Sequence, residues 1–324
     1  MVLCGQYGSV RANRGAMASK AIIPGLPKDE AWPALPLAEW SATRDTLHMW
    51  MQIVGKLRLA LSPPLNQWWE ATLYVSARGL TTSAVPYQMG VFEAEFDFIA
   101  QVLRFTTSRG ETKTIALAPR SVADFYREFQ ATLASLNIQA QIWPMPVEVP
   151  NPIRFDLDTV HASYDPAYAN RFWRILTTVD PICKEFRARF IGKASPVHFF
   201  WGSGDLAATR FSGRRAPERP GADAVTREAY SHEVSSVGWW PGNGGFDAPM
   251  FYAYAAPEPA GFRASKIVPA EAFYSAQIGE FLLSYDAVRN SADPPGMLMQ
   301  FFQSTYEAAA KLGNWDRAAL ERQT

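Results

Sequence analysis

Hydrophobic positions along this chain recur with two periods, and the changes of period mark its elements. From Leu37 to Leu57 the segment LAEWSATRDTLHMWMQIVGKL places Trp40, Leu47, Trp50, Val54 and Leu57 at helical spacing. This predicts an amphipathic helix closed near Gly55. The period then falls to two. Trp69, Ala71, Leu73, Val75 and Ala77 alternate with Glu70, Thr72, Tyr74 and Ser76, as in a strand with one buried face, and a turn is expected at Gly79. Residues 91–105 open with the same alternation, and a turn at Ser108-Arg109-Gly110 leads to a further strand over Thr112–Ala118. Ser121 precedes a helical run with Phe125, Phe129 and Leu133 on one face and Asp124 as a weak capping box. Residues 37–137 therefore read as helix, antiparallel strands, helix. Upstream, Pro24, Pro27, Pro33 and Pro36 each fix their own φ and bias the preceding residue away from helix. Residues 1–36 are accordingly expected to be a disordered start and an extended arm.

The second half repeats this plan. Gly55-Lys56, Trp68 and Arg78 reappear in order as Gly192-Lys193, Trp201 and Arg210, and Phe129-Gln130-Ala131-Thr132 is echoed by Phe302-Gln303-Ser304-Thr305. A connector with Pro144, Pro146, Pro150 and Pro152 spans 138–167, and Tyr168–Phe190 reads as the helix that enters a second, enlarged copy over 168–324. The additional residues of that copy fall mostly within 214–237 and 256–280. The expected fold is α+β: two divergent tandem copies of an antiparallel sheet with packed helices, arranged pseudo-symmetrically.

Composition narrows the function classes. The 324 residues carry 31 basic and 31 acidic side chains, with 48% hydrophobic residues. A zero net charge argues against nucleic acid as a partner, because counterion-release binding needs a positive surface. The pattern holds no apolar run of membrane-spanning length and no signal-peptide core, so neither a membrane partner nor export is expected. Two cysteines, Cys4 and Cys183, are too few for a disulfide framework and fit a reducing, cytoplasmic setting.

Three of the four histidines lie in the connector and the second copy: His161, His198 and His232, with Asp165 and Glu233 near them in sequence, while His48 on the first helix reads as structural. Two or three imidazoles with a carboxylate are a ligand set for zinc or iron, so these three histidines are candidate ligands of a divalent metal. Without a metal they are proton carriers, with Glu233 or Asp165 as general base. Between 187 and 219 the bases Arg187, Arg189, Lys193, Arg210, Arg214, Arg215 and Arg219 face only Asp205 and Glu218. This surplus suggests an anion site, with Arg210 and Arg214 anchoring a small anionic molecule. Trp201, Trp239 and Trp240 are candidates for stacking on a ligand. The chain has no G-x-S-x-G elbow, and GNGG lacks the lysine of a phosphate loop.

The blocks TLHMWMQIVGKLRLA, LYVSARGLTT, SPVHFFWGSGDLAATRFSGRRAP, EAYSHEVSSVGWWPG and QSTYEAAAKLGNWDR resemble those of a bacterial family of unknown function, over about Trp32 to Trp315. The resemblance implies membership and a bacterial cytoplasmic setting, and it implies no activity. Two functions stand as expectations. One is a metal-dependent or acid/base enzyme acting on a small anionic substrate in a cleft of the second copy. The other is a non-catalytic ligand-binding module with a pocket of Trp and Arg. A structural or partner-binding protein would instead present a large exposed apolar patch.

Overall fold

A computed structural model describes residues 27–243 and 245–323. The arm before the first long helix contains one helical turn, α1 (Lys28–Ala31), where an extended segment is expected; Pro27 occupies its N-cap, a position that needs no backbone N–H. Cys4 and the unpatterned start lie outside the described residues. The first half then runs α2 (Leu37–Leu61), β1 (Thr72–Val75), β2 (Gly79–Thr81), β3 (Val85–Tyr87), β4 (Gly90–Asp97), β5 (Val102–Thr107), β6 (Thr112–Ala116) and α3 (Val122–Ser135). The second half runs α4 (Pro166–Ala188), β7 (His198–Phe200), β8 (Asp205–Arg215), α5 (Ala224–Ala229), β9 (His232–Trp240), β10 (Met250–Ala256), β11 (Phe273–Ser275) and β12 (Glu280–Ser284). It closes with α6 (Tyr285–Asn290), α7 (Pro294–Leu312) and α8 (Arg317–Leu320).

Local chemistry explains the long helices. Ser121 caps α3, its hydroxyl accepting the Asp124 N–H at 3.1 Å. Both α4 and α7 begin with Asp-Pro: Asp165 accepts the Ala167 and Tyr168 N–H groups at 2.7 and 3.3 Å, and Asp293 accepts that of Gly296 at 3.0 Å. The first helix does not close at Gly55. It continues to Leu61, and the missing side chain at Gly55 lets it pass against Trp201, whose indole stands 2.3 Å from where a Cβ would sit.

All strands are antiparallel and join in one 12-stranded sheet of order β11-β12-β10-β9-β8-β7-β1-β2-β4-β5-β6, with β3 paired to β4. In the middle β1 pairs β7, Leu73 opposite Phe199 and Thr72 opposite Phe200, so the two halves form one continuous sheet. Mixed helix and antiparallel sheet makes the fold α+β. Alternation sorts the strand residues by face. Leu73, Phe199, Leu206, Ala208, Val237, Trp239, Phe251 and Leu283 share one core with the apolar stripes of α2, α3, α4 and α7. The residues between them, including His198, Phe200, Asp205, Ala207, Thr209, Ser236, Gly238, Trp240, Tyr252 and Tyr254, lie on the other face, which carries only small satellite clusters. No described helix is long and apolar enough to cross a membrane.

Where β2 meets β4, a Cβ on Gly79 would lie 1.6 Å from the Phe96 carbonyl oxygen. Gly79→Ala therefore forces β2 and β4 apart where their paired residues Gly79, Asp97, Leu80 and Phe96 are all buried, and is expected to cost about 3 kcal/mol or more of unfolding free energy, measured by urea denaturation. Gly110→Ala, with no atom near its Cβ position but a φ of +86°, is expected to cost about 1 kcal/mol.

Candidate functional site

The structure separates the residues that the sequence suggests as one site. His161 sits in the connector, where its Nδ1 meets Asp158 at 2.7 Å. That loop serves α3: the carbonyls of Asp158 and His161 accept the Ala123 and Val122 N–H groups at its first turn. His198 lies on β7 and His232 opens β9. The expected convergence of His161, His198 and His232 is not found, because among the described residues no group of three or more His, Cys, Asp or Glu side chains could hold a metal ion. Asp165 caps α4. Glu233 points away from His232, since adjacent strand residues face opposite sides. It accepts from Ser212 at 2.8 Å and from Arg214 at 2.7 and 2.9 Å.

The arginines expected to anchor an anion hold the fold instead. Arg210 is 1% exposed; its guanidinium carbon stands 3.5 Å from the Phe186 ring centroid and 4.2 Å from that of Tyr306, and it donates to the Phe186 carbonyl. Burial lowers its pKa to about 10. Arg214 binds Glu233 and the carbonyls of Gly313 and Asn314, tying the end of α7 to β8 and β9. The tryptophans divide likewise. Trp201 is buried against Lys56, whose Nζ is 5.5 Å from its ring and whose pKa burial lowers to about 8. Trp239 is buried on the helix side against Phe172 and Tyr285. Of these three, Trp240 lies half-buried on the face opposite the helices, so Trp239 and Trp240 cannot form one platform. His48 on α2 bonds the carbonyls of Trp201 and Gly202 at 3.0 and 2.9 Å, in keeping with a structural role.

What gathers on the open face at the β7–β9 end is a chain of polar contacts that sequence spacing does not reveal. Arg58, buried on α2, donates to the carbonyls of Trp69, Glu70 and Thr72 and so fixes the chain as it enters β1. Just before this, Gln67 and Trp68 are both left-handed (φ 57° and 58°), a conformation that costs a non-glycine residue about 1 kcal/mol or more. This backbone places the Gln67 amide, 7% exposed, where its Oε1 accepts Lys193 Nζ at 2.7 Å and its Nε2 donates to Ser231 Oγ at 3.3 Å. Ser231 Oγ in turn is 2.7 Å from the Glu228 carbonyl and 3.0 Å from His232 Nδ1. The hydroxyl has one proton, and the Glu228 carbonyl can only accept it. Ser231 Oγ then accepts from both Gln67 and His232, which assigns the proton of His232 to Nδ1 and leaves a lone pair on Nε2.

Charge at this corner is one-sided. Burial first, then the nearby Lys193 and Arg215, lower the His232 pKa and favour the neutral imidazole. Among the described residues no carboxylate lies within 4.0 Å of Lys193, Arg215 or His232. Of the sequence's local basic surplus, Arg189 pairs with Glu185, Arg214 with Glu233, and Arg219 lies over Tyr230. Lys193 also stands over the Phe211 and Trp69 rings at 4.6 and 5.4 Å. Beside Trp69, His198 is fully buried with its Nδ1 unpartnered among the described residues, and burial with Arg58 and Arg187 lowers its pKa to about 3.

The chain belongs to a family of unknown function, DUF5996, whose model matches residues 32–322. No curated protein and no solved structure matches it.

Two outcomes follow from this geometry. Arg210→Ala is expected to destabilise by about 3 kcal/mol, through a cavity between α4 and α7, whereas Arg214→Ala at the surface costs about 1 kcal/mol; urea unfolding measures both. For His198 the folded state favours the neutral ring. Stability is therefore whole above the unfolded pKa of 6.5 and declines as pH falls from there towards about 3. In His198→Gln the decline over that interval is expected to be shallower in pH-dependent unfolding.

Proposed function

We propose that the protein is an acid/base enzyme acting on a small anionic molecule, at the corner of the open sheet face where the first half's Gln67 meets the second half's Lys193 and His232. The observation that carries this reading is the relay from Lys193 through Gln67 and Ser231 to His232. It fixes one tautomer, leaves Nε2 as a base, and sets that base between two cations without a carboxylate partner. In this reading Lys193 and Arg215 hold the substrate's anionic group, His232 Nε2 takes a proton from the bound molecule, and Trp69 forms an apolar wall. The strained pair Gln67-Trp68 supports it, because such backbone persists where the surroundings hold it and is concentrated at functional sites.

We also infer that the two halves are divergent copies. In support, each half runs from a long helix through a meander to another helix. The strand order also places β7, β8, β9, β10 and β12 outward on one side of the β1–β7 junction as β1, β2, β4, β5 and β6 run on the other. On this reading the second copy's insertion around α5 supplies Ser231, and the site is a feature of the enlarged copy.

A nitrogen-detected histidine titration tests the proposal. His232 is expected as the Nδ1–H tautomer with a pKa below 6.5. Inorganic phosphate should raise that pKa by roughly half a unit or more, and Lys193→Met should abolish the response. In a screen of phosphorylated and carboxylated compounds, any turnover should rise with pH through that lowered pKa and then level off, and His232→Ala should reduce it about 100-fold. An Nε2–H tautomer, or a pKa indifferent to phosphate, overturns the assignment.

A further inference from the structure

Farther along the same face, beyond the His232 corner, aromatic rings stand in a row, with Trp240, Phe246 and Tyr254 half-buried and Tyr252 buried. Trp240 meets Phe246 edge to face at 5.5 Å and Tyr252 at 6.3 Å, and Tyr252 stacks on Tyr254 at 6.2 Å and 16°. Gly238 makes this row possible: a Cβ there would sit 2.4 Å from the Tyr252 ring and hydroxyl, so Tyr252 lies flat across β9 and donates its hydroxyl to Asp205 on β8. Asp205 also accepts from Ser203, and lies one residue beyond the Leu206–Trp239 pair, beside Trp240. The indole N–H of Trp240 is buried without a partner among the described residues.

Carboxyl groups flank the rings with nothing to neutralise them. Glu280 on β12 and Glu148 from the connector both have raised pKa values, Glu280 to about 7, through burial first and then the charge of Asp205. Asp205 is itself raised by burial. Among the described residues neither Lys nor Arg lies within 4.0 Å of any of the three, although the chain carries as many bases as acids. A set of aromatic faces is attractive to a positive charge through its quadrupoles, and buried carboxyls that repel one another are relieved by the same charge. An inorganic ion does not meet the geometry, since among the described residues no three carboxyls converge to hold one.

We infer that the Trp240–Phe246–Tyr252 row with Asp205 and Glu280 is a binding site for an organic ammonium group. The cation rests on the ring faces, and the carboxylates set its sign. The site is separate from the His232 corner, and its occupancy does not depend on the acid/base reading.

Calorimetric titration of the full chain with choline and with its uncharged isostere 3,3-dimethylbutan-1-ol tests this directly. The two probes have the same shape and differ in charge. Choline is expected to bind at least about tenfold more tightly than the neutral alcohol. Glu280→Gln and Trp240→Leu should each weaken choline about fivefold or more, while Trp240→Phe, which keeps a ring and safeguards against a folding defect, retains most of the affinity. Equal affinities for the two probes, absence of saturable choline binding, or binding undiminished in both Glu280→Gln and Trp240→Leu overturns the inference. None of these results alters the histidine titration, so the two sites fail or stand separately.

Discussion

One antiparallel junction governs this molecule: β1 against β7, with Leu73 opposite Phe199 and Thr72 opposite Phe200. It makes a single sheet from strands contributed by both halves of the chain, and that sheet is covered on one face by α2, α3, α4 and α7 while the other carries only small satellite clusters. The same junction brings the turn before β1 beside the elements around β7–β9. Gln67 thereby reaches Lys193 and Ser231 across more than a hundred residues of sequence. Without this pairing the relay to His232 would not exist.

Sheet alternation then decides which conspicuous residues become core and which become chemistry. Trp239 and Trp240, adjacent in sequence, are separated by the full thickness of the sheet, as are His232 and Glu233. Arg210 falls on the covered face and is enclosed by Phe186 and Tyr306, whereas Thr209 beside it bonds Ser236 on the open face at 2.8 Å. A charged residue under the helices is held by ring faces and a carbonyl, and it has no surface left for a ligand. On the other face His198 Nδ1 and the Trp240 indole N–H are without partners among the described residues.

Much of the fold was legible in the sequence because its causes are local. The apolar stripe from Trp40 to Leu57, the alternation around Leu73, the Ser121 cap and the helix entering the second half all act within a few residues. Gly55 is the exception: it lies inside α2 rather than at its end, and its missing side chain leaves room for the distant indole of Trp201. The site was less legible for the same reason. His232, His198 and Trp240 stood out by residue type, and the structure does place them on the open face. Gln67, Ser231, Asp205 and Glu280 carry no signature, and their roles come from left-handed backbone, strand register and the absence of opposite charge nearby. The best available signal was the pairing of an unbalanced basic segment with His232 in the residues the second half adds. Within that surplus Arg210 and Arg214 already have partners, on α4, α7, β9 and the residues that follow α7.

In the proposed function a fixed His232, flanked by Lys193 and Arg215, is an anion-binding base. A crystal structure of the full chain soaked in phosphate tests it most directly. Phosphate is expected within hydrogen-bonding distance of Lys193 Nζ, with His232 still presenting Nδ1 to Ser231 and Nε2 towards the anion. A rotated ring that places Nε2 on Ser231, or phosphate bound only elsewhere on the surface, would contradict it.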